Sequence, residues 1–122
     1  GSDLEPGGLA RVSGLESADA ATYNDAVVVL RRFDGSSGKW IVSFRDGQSA
    51  RVPAQRLKLE LPLRPGETAQ IHGLVGAVGA ERFNGTLATV LRWDDAAVKW
   101  RARLFTGGEA NISPFNLSRP AE

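Results

Sequence analysis

Apolar and polar residues alternate along much of the chain, as they do in β-strands that bury one face. Between residues 40 and 45, the side chains of Trp40, Val42 and Phe44 fall on one face and the intervening residues on the other. Residues 100–105 repeat this alternation, and no segment carries a helical stripe. The pattern therefore predicts an all-β chain, with strands at 26–33, 49–52, 87–93 and 110–112 and short 3₁₀ turns at 54–57 and 115–117.

The same landmarks occur twice, in the same order, which indicates an internal duplication. In the first half they are Leu4-Glu5-Pro6-Gly7, Gly14-Leu15, Tyr23-Asn24, Arg32-Phe33-Asp34 and Lys39-Trp40; in the second they are Leu63-Arg64-Pro65-Gly66, Gly73-Leu74, Phe83-Asn84, Arg92-Trp93-Asp94 and Lys99-Trp100. The second half carries one inserted residue after Leu74. We therefore expect one domain at residues 3–61 and another at 62–120, joined by a linker that Pro62 and Pro65 stiffen.

Each half has too few strands to bury a core as a flat sheet, but five short strands can close into a small barrel. The predicted fold is two tandem small barrels of the Src-homology-3-like plan. A unit of this size without disulfides is marginally stable alone, so we expect the two barrels to pack together. The residues expected in the core are Val12, Val27, Val29, Trp40, Val42, Phe44 and Leu57 in the first barrel, and Ile71, Leu87, Trp100, Leu104, Ile112 and Leu117 in the second.

One motif runs through both halves: Gly-Leu, an aromatic residue with Asn, an aromatic residue with Asp, Lys-Trp, a glycine turn and a final leucine. In the first half these are Gly14-Leu15, Tyr23-Asn24, Phe33-Asp34, Lys39-Trp40, Asp46-Gly47 and Leu57; in the second they are Gly73-Leu74, Phe83-Asn84-Gly85, Trp93-Asp94, Lys99-Trp100, Gly107 and Pro114-Phe115-Asn116-Leu117.

This motif resembles a short repeat common in proteins of dinoflagellates, haptophytes and related algae, where it accompanies ankyrin, zinc-finger and other interaction modules. The resemblance covers nearly the whole chain. It departs at Asp25, where the repeat prefers glycine, and at Thr106, where it prefers aspartate. The barrel plan is also similar to Tudor, Agenet and KOW domains, which bind methylated tails or RNA. That similarity is an analogy of fold and implies no function by itself.

Composition argues against an enzyme, a cofactor or a metal site. The chain has no cysteine and one histidine, His72, whose counterpart in the first half is Ser13. One histidine supplies neither a catalytic constellation nor a metal-ligand cluster. Gly73, Gly76 and Gly79 precede no helix of sufficient length, so they are not a phosphate-binding fingerprint.

The outward face of the central strands of the second half is the first candidate binding surface. It carries Arg92, Arg101, Arg103 and Phe105, and the matching residues of the first half are Arg32, Ile41, Ser43 and Arg45. Arginines with an aromatic residue can clamp phosphates and stack on a base or a peptide side chain. The same residues also fit an ordinary solvated strand face, or one covered by the other barrel.

The aromatic side chains suggest a second possibility, because aromatic cages bind methylated lysine or arginine and aromatic rows bind proline-rich peptides. Tyr23 with Phe83, and Phe33 with Trp93, are equivalent pairs that fit buried roles equally well. The better surface candidates lack an aromatic equivalent: Phe105 and Phe115 stand where the first half has Arg45 and Gln55.

We therefore expect a non-catalytic module for binding a protein or peptide, part of a larger scaffold or regulatory polypeptide. The alternative is a pair of barrels that binds RNA or DNA, although the net charge of +1 is no nucleic-acid footprint. A continuous basic stripe would favour nucleic acid, and a groove around Phe105, Phe115 and the loop 16–25 would favour a peptide or protein. We also expect an intracellular monomer, with no membrane contact since no apolar run is long enough to span. The candidate ligand-binding residues are Arg45, Arg92, Arg101, Arg103, Phe105 and Phe115.

Overall fold

The protein folds as an all-β chain that divides into two compact units, Gly1–Pro62 and Leu63–Glu122. The computed structural model describes residues 4–16, 22–75 and 79–120. Each unit contains one five-stranded antiparallel sheet. The predicted fold class, two tandem small β-barrel domains, is confirmed.

The first barrel has five strands in the order β4-β3-β2-β1-β5. They are β1 (Leu9–Val12), β2 (Val27–Asp34), β3 (Lys39–Ser43), β4 (Ser49–Val52) and β5 (Leu57–Leu61), with a 3₁₀ helix, η1 (Ala54–Arg56), before β5. The first and last strands are thus neighbours, as the Src-homology-3-like plan requires. Pro53 ends β4 before η1, because proline cannot donate to a strand ladder.

The second barrel repeats this plan with the order β10-β6-β7-β8-β9. Its elements are β6 (Thr68–Ile71), the 3₁₀ helix η2 (Ala80–Phe83), β7 (Leu87–Asp94), β8 (Lys99–Leu104), β9 (Glu109–Ile112), the 3₁₀ helix η3 (Pro114–Asn116) and β10 (Leu117–Ser118). Each strand of the first barrel has its counterpart at the position that the sequence repeat predicts.

The longest strand of each barrel carries a bulge at the equivalent place. The register between β2 and β3 shifts between Leu30 and Arg32, and that between β7 and β8 shifts between Val90 and Arg92. An extra residue bends a strand and increases its twist. The bulge therefore lets one long strand pair with neighbours on two sides of a small barrel.

The core of the first barrel is formed by buried apolar side chains of β1, β2, β3 and β4, and Trp40 is its largest member. Its buried members are Ala10, Val12, Val28, Leu30, Trp40, Val42 and Val52. In the second barrel the equivalent positions are also buried, and they hold Ala69, Ile71, Ala88, Val90, Trp100, Ala102 and Ile112. The predicted burial of both tryptophans is confirmed.

The burial predicted for β2 and β7 is confirmed at Val29, which is 1% exposed, and is wrong at Val27 and Leu87. Val28 and Leu30 enter the core cluster, whereas Val27 is half-buried and Val29 is buried outside that cluster. Leu87, also predicted as core, is 48% exposed. In β2 the cause is that every residue from 27 to 30 is apolar, so alternation does not show which side chains face the core. Phe44, Leu57 and Leu104 are half-buried at the edge of their cores instead of inside them.

The Gly-Leu and Asn landmarks build one loop, repeated in both barrels. The side-chain amide of Asn24 accepts from the backbone N–H of Leu15 at 2.9 Å and donates to its carbonyl at 3.1 Å. Asn84 makes the same pair of bonds to Leu74, at 2.9 and 3.2 Å. The next residue in each copy, Asp25 or Gly85, has a φ of 72° or 84°. Asp25 thus adopts the left-handed backbone that glycine adopts at the equivalent position of the second copy.

Candidate functional site

The predicted arginine face exists on the second barrel, where β7, β8 and β9 lie side by side. Arg92 pairs with Arg101 across the strands, and Arg101 pairs with Asn111 on the other side. Arg101 does not present a free charge, because its Nε donates to Glu109 Oε1 at 3.1 Å and its Nη1 to Asn111 Oδ1 at 3.4 Å. An acidic residue of β9 therefore neutralises the middle of this face.

Arg103 lies one row further along β8, between Thr89 of β7 and Glu109 of β9. Arg92 and Arg103 are both exposed, and neither forms an ion pair with any described residue. The arginine face thus consists of two open charges on either side of a neutralised one. It is not a continuous basic stripe.

Phe105 follows Arg103 on the same side of the chain and is 64% exposed. Its ring contacts that of Phe83 edge to face, with 5.8 Å between centroids. Leu87 begins β7, next to the buried Ala88 that pairs with Leu104, and it is 48% exposed. The guanidinium carbon of Arg82 lies 4.9 Å from the Phe83 centroid. We call these four residues the aromatic patch.

The other two predicted site residues do not join this surface. Phe115 lies in η3 and is half-buried, with its backbone N–H donated to Ser113 Oγ at 3.2 Å. Arg45 belongs to the first barrel, where it is exposed at the position that Phe105 occupies in the second. The residues 17–21 of the loop expected to flank a ligand lie outside the described part of the chain.

The aromatic residues interpreted as equally suited to the core are partly on the surface. Tyr23 is 40% and Phe33 is 53% exposed. Each packs its ring on a deeper one: Tyr23 lies 4.8 Å from Phe44, and Phe33 lies 5.9 Å from Trp40. They form the outer wall of the core, so they contribute to stability without being fully buried.

A second concave surface lies on the first barrel and was not predicted from the sequence. It has a volume of about 250 Å³ and is lined by Arg31, Arg32, Ile41, Ser49, Ala50 and Arg51. We call it the arginine cleft. Arg32 pairs with Ile41, and Ile41 pairs with Arg51, so the isoleucine lies between two arginines on adjacent strands. Arg31 is the bulge residue of β2.

Asp34, at the end of β2, anchors one side of this cleft. Its Oδ2 accepts from Arg51 Nε at 2.9 Å and from Ser37 Oγ at 2.8 Å, and its Oδ1 accepts from Ser36 Oγ at 2.8 Å. The hydroxyl of Ser36, that of Ser37 and the Arg51 guanidinium together hold the pKa of Asp34 well below its ordinary value. The carboxylate therefore stays ionised and keeps Arg51 in place.

No protein-family model matches the chain, and no curated protein matches its sequence. Inference about function therefore depends on the surfaces of the two barrels. His72 is exposed, and its backbone N–H is donated to the Asn116 carbonyl at 2.9 Å. Residues 4–16, 22–75 and 79–120 contain no group of three or more histidine or acidic side chains placed to hold a metal ion. Within the same ranges, no helix has the length and apolar character of a membrane span.

Proposed function

We propose that this protein is a non-catalytic interaction module, and that its second barrel binds a peptide through the aromatic patch. The observation that supports this proposal is the outward placement of two large apolar side chains, Leu87 and Phe105, which are 48% and 64% exposed. Exposed apolar side chains that adjoin one another on a small domain mark interaction sites more often than scattered single ones do.

The patch has the composition of a binding hot spot. Aromatic anchors surrounded by polar residues carry most of the binding energy in protein interfaces. Each Å² of apolar surface removed from water contributes about 25 cal/mol. Phe83 packs edge to face with Phe105, which restricts the orientations open to this exposed ring. Preorganised anchors lose less entropy on binding.

The charges around the patch favour a peptide over a nucleic acid. Arg103 flanks Phe105, but Glu109 lies across the strand pair from Arg103 and neutralises Arg101. A polyanion would meet this carboxylate, whereas a short peptide needs only one acidic side chain near Arg103. We therefore expect a ligand with an apolar anchor residue and an acidic residue close by.

Selection of peptides from a random display library against the full chain tests this proposal. Phe105→Arg is the decisive variant, because the same fold tolerates Arg45 at the equivalent position. We expect Phe105→Arg to weaken the selected peptides by about tenfold or more, since it removes an anchor worth over 1.4 kcal/mol. Phe33→Arg makes the same change at an exposed phenylalanine of the first barrel, and should leave binding unchanged.

The nucleic-acid alternative is tested in parallel by titrating the chain with a fluorescent oligonucleotide at several salt concentrations. If Arg92 and Arg103 contact phosphates, each alanine variant lowers the salt slope by about one. Tight oligonucleotide binding that Phe105→Arg leaves intact, together with no selected peptide, would refute the peptide proposal.

A further inference from the structure

The arginine cleft of the first barrel is a candidate for a second and different site. We infer that this cleft binds a single phosphate or carboxylate group carried by a protein segment. The inference concerns the first barrel only and does not depend on the aromatic patch of the second. It rests on the register of three strands, the volume of the cleft and the contrast with the equivalent surface of the other barrel.

The strand register sets the charges around the cleft. Arg32 on β2 and Arg51 on β4 are both cross-strand neighbours of Ile41 on β3. Arg31 reaches the same cleft because the bulge of β2 displaces it from the regular alternation. Guanidinium groups that converge from different strands donate charge-assisted hydrogen bonds to the several oxygens of one anion.

Asp34 orients Arg51 through only one of the N–H groups of its guanidinium. The ion pair uses Nε of Arg51, which is one of five N–H donors on a guanidinium group. Asp34 also accepts from the hydroxyls of Ser36 and Ser37, so its own oxygens are well satisfied. A positioned arginine loses less side-chain entropy when it binds an anion than a freely rotating one does.

The size of the cleft suits one charged group on a side chain. About 250 Å³ is below the roughly 300–1,000 Å³ of pockets that hold whole small molecules or cofactors. Ile41 gives the cleft an apolar floor, which suits the short stem of an amino-acid side chain. The chain as a whole carries a net charge of +1, so a long polyanion finds no extended basic track beyond the cleft. A phosphorylated or acidic peptide side chain meets all three conditions.

The equivalent surface of the second barrel carries different residues. At the positions of Arg31, Arg32, Ile41, Ser49, Ala50 and Arg51 it has Leu91, Arg92, Arg101, Glu109, Ala110 and Asn111. Glu109 takes up the charge of Arg101 there, at 3.1 Å. The first barrel has Ser49 in place of that glutamate. Among these six positions the first barrel therefore has three arginines and no acidic residue, and the second has two arginines and a glutamate.

Nuclear magnetic resonance titration of the full ¹⁵N-labelled chain tests this inference. Inorganic phosphate is the first probe, followed by a phosphoserine peptide and its serine and glutamate counterparts. We expect amide shifts centred on β2, β3 and β4, and tighter binding of phosphoserine than of glutamate because the phosphate carries more charge. The unmodified serine peptide should not bind.

The decisive variant is Ser49→Glu, which gives the first barrel the carboxylate that the second already accommodates at Glu109. We expect it to weaken phosphopeptide binding by about tenfold or more through like-charge repulsion and neutralisation of the arginines. The matched control is Glu109→Ser, which should leave the phosphopeptide-induced shifts of β2, β3 and β4 unchanged. Arg51→Asn and Arg31→Leu, which also introduce second-barrel residues, should each reduce phosphopeptide binding.

Three results would overturn the inference. They are the absence of shifts at millimolar phosphate, shifts spread equally over both barrels, and a Ser49→Glu variant that binds as tightly as the unchanged chain. An oligonucleotide that binds at β2–β4 more tightly than the phosphopeptide would refute a peptide ligand. Phe105→Arg leaves the cleft untouched, so failure at one site is distinguishable from failure at the other.

Discussion

The two barrels have equivalent interiors but different surfaces. Seven core positions are buried in both copies, and the changes among them keep every residue apolar: Ala10 and Ala69, Val12 and Ile71, Val28 and Ala88, Leu30 and Val90, Trp40 and Trp100, Val42 and Ala102, Val52 and Ile112. The outward positions change in charge and kind, since Arg45 becomes Phe105 and Ser49 becomes Glu109. A core constrains volume and polarity, whereas a solvent-exposed face constrains neither.

This contrast connects the two proposed sites. The first barrel concentrates arginines around an apolar floor, and the second neutralises its central arginine and exposes apolar side chains at one end of the sheet. Two copies of one fold thereby offer two chemistries, one suited to an anionic group and the other to an apolar anchor. Exchanging residues between equivalent positions is the natural way to test this division, because each barrel shows what the fold tolerates.

The largest expected effect comes from the shared core. Trp100 is 1% exposed, and Trp100→Ala should cost about 3–5 kcal/mol through lost burial and the cavity left behind. That is comparable to the whole stability of so small a domain, so amide hydrogen exchange should show the second barrel unfolded. Trp40→Ala should do the same to the first. The control is Trp93→Phe, which introduces the residue of the first barrel at Phe33 and should cost under about 1.5 kcal/mol. Equal costs for Trp93→Phe and Trp100→Ala would contradict this view of the core.

The repeated asparagine loops should show the next largest effect. Asn24→Ala leaves the backbone N–H and carbonyl of Leu15 without their partners, at a cost of about 1–3 kcal/mol. Asn84→Ala should cost less, because Asn84 is exposed and water can replace the amide, whereas Asn24 is half-buried. Urea denaturation measures both. Asn111→Ala, which removes only a 3.4 Å bond to Arg101, is the matched control and should be nearly neutral. A larger loss of stability from Asn84→Ala than from Asn24→Ala would contradict the prediction that water replaces the exposed Asn84 amide.

Much of the fold was predictable because its signals are local or repeated. The Asn24 and Asn84 loops, the glycine turns and the tryptophans recur in the same order, and each has a short-range structural reason. Alternation in β3 and β8 gave the correct face for Trp40 and Trp100. Where alternation is absent, at the apolar start of β2, Val27 was wrongly predicted as a core residue, and Leu87 at the start of β7 was also misplaced.

The surfaces were less predictable because they depend on pairing between strands. The neutralisation of Arg101 requires β9 to bring Glu109 beside it, and alternation within β8 contains no such information. The arginine cleft requires three strands in register and a bulge that turns Arg31 outward. The Arg31-Arg32 doublet and the alternating Arg51 were visible in the sequence. Only the register between strands shows that they face one cleft.

A smaller effect is expected where the barrels use different residues for the same turn. Between the second and third strands of each barrel, Gly38 has a φ of 70° and Val98 a φ of 55°. A β-branched residue in the left-handed region costs about 1–2 kcal/mol, offset in part by the entropy that glycine loses on folding. Val98→Gly should therefore stabilise the second barrel by about 0.5–1 kcal/mol in thermal unfolding. Gly38→Val should destabilise the first, and since a Cβ there meets no atom within 4 Å, the cause is the backbone alone. Destabilisation by Val98→Gly would mean that the valine side chain contributes contacts worth more than the strain.

The smallest effect concerns the response of each barrel to acid. The pKa of Asp34 lies well below its ordinary value of 3.8, because the hydroxyls of Ser36 and Ser37 and the Arg51 guanidinium stabilise the carboxylate. A carboxyl with a lowered folded-state pKa contributes stability above its unfolded pKa and loses that contribution as the pH falls toward its folded pKa. The first barrel should therefore lose stability below about pH 4, and Asp34→Asn should remove this part of the acid dependence.

At Asp94 the two serines are replaced by Ala96 and Ala97, and Asp94 accepts only a 3.3 Å bond from the Ala97 backbone N–H among the bonds described. Asp94→Asn is therefore the control, and thermal unfolding at pH values on either side of 4 should show that it leaves the acid dependence of the first barrel unchanged. An equal change in both variants would mean that the Asp34 cluster does not distinguish the first barrel from the second.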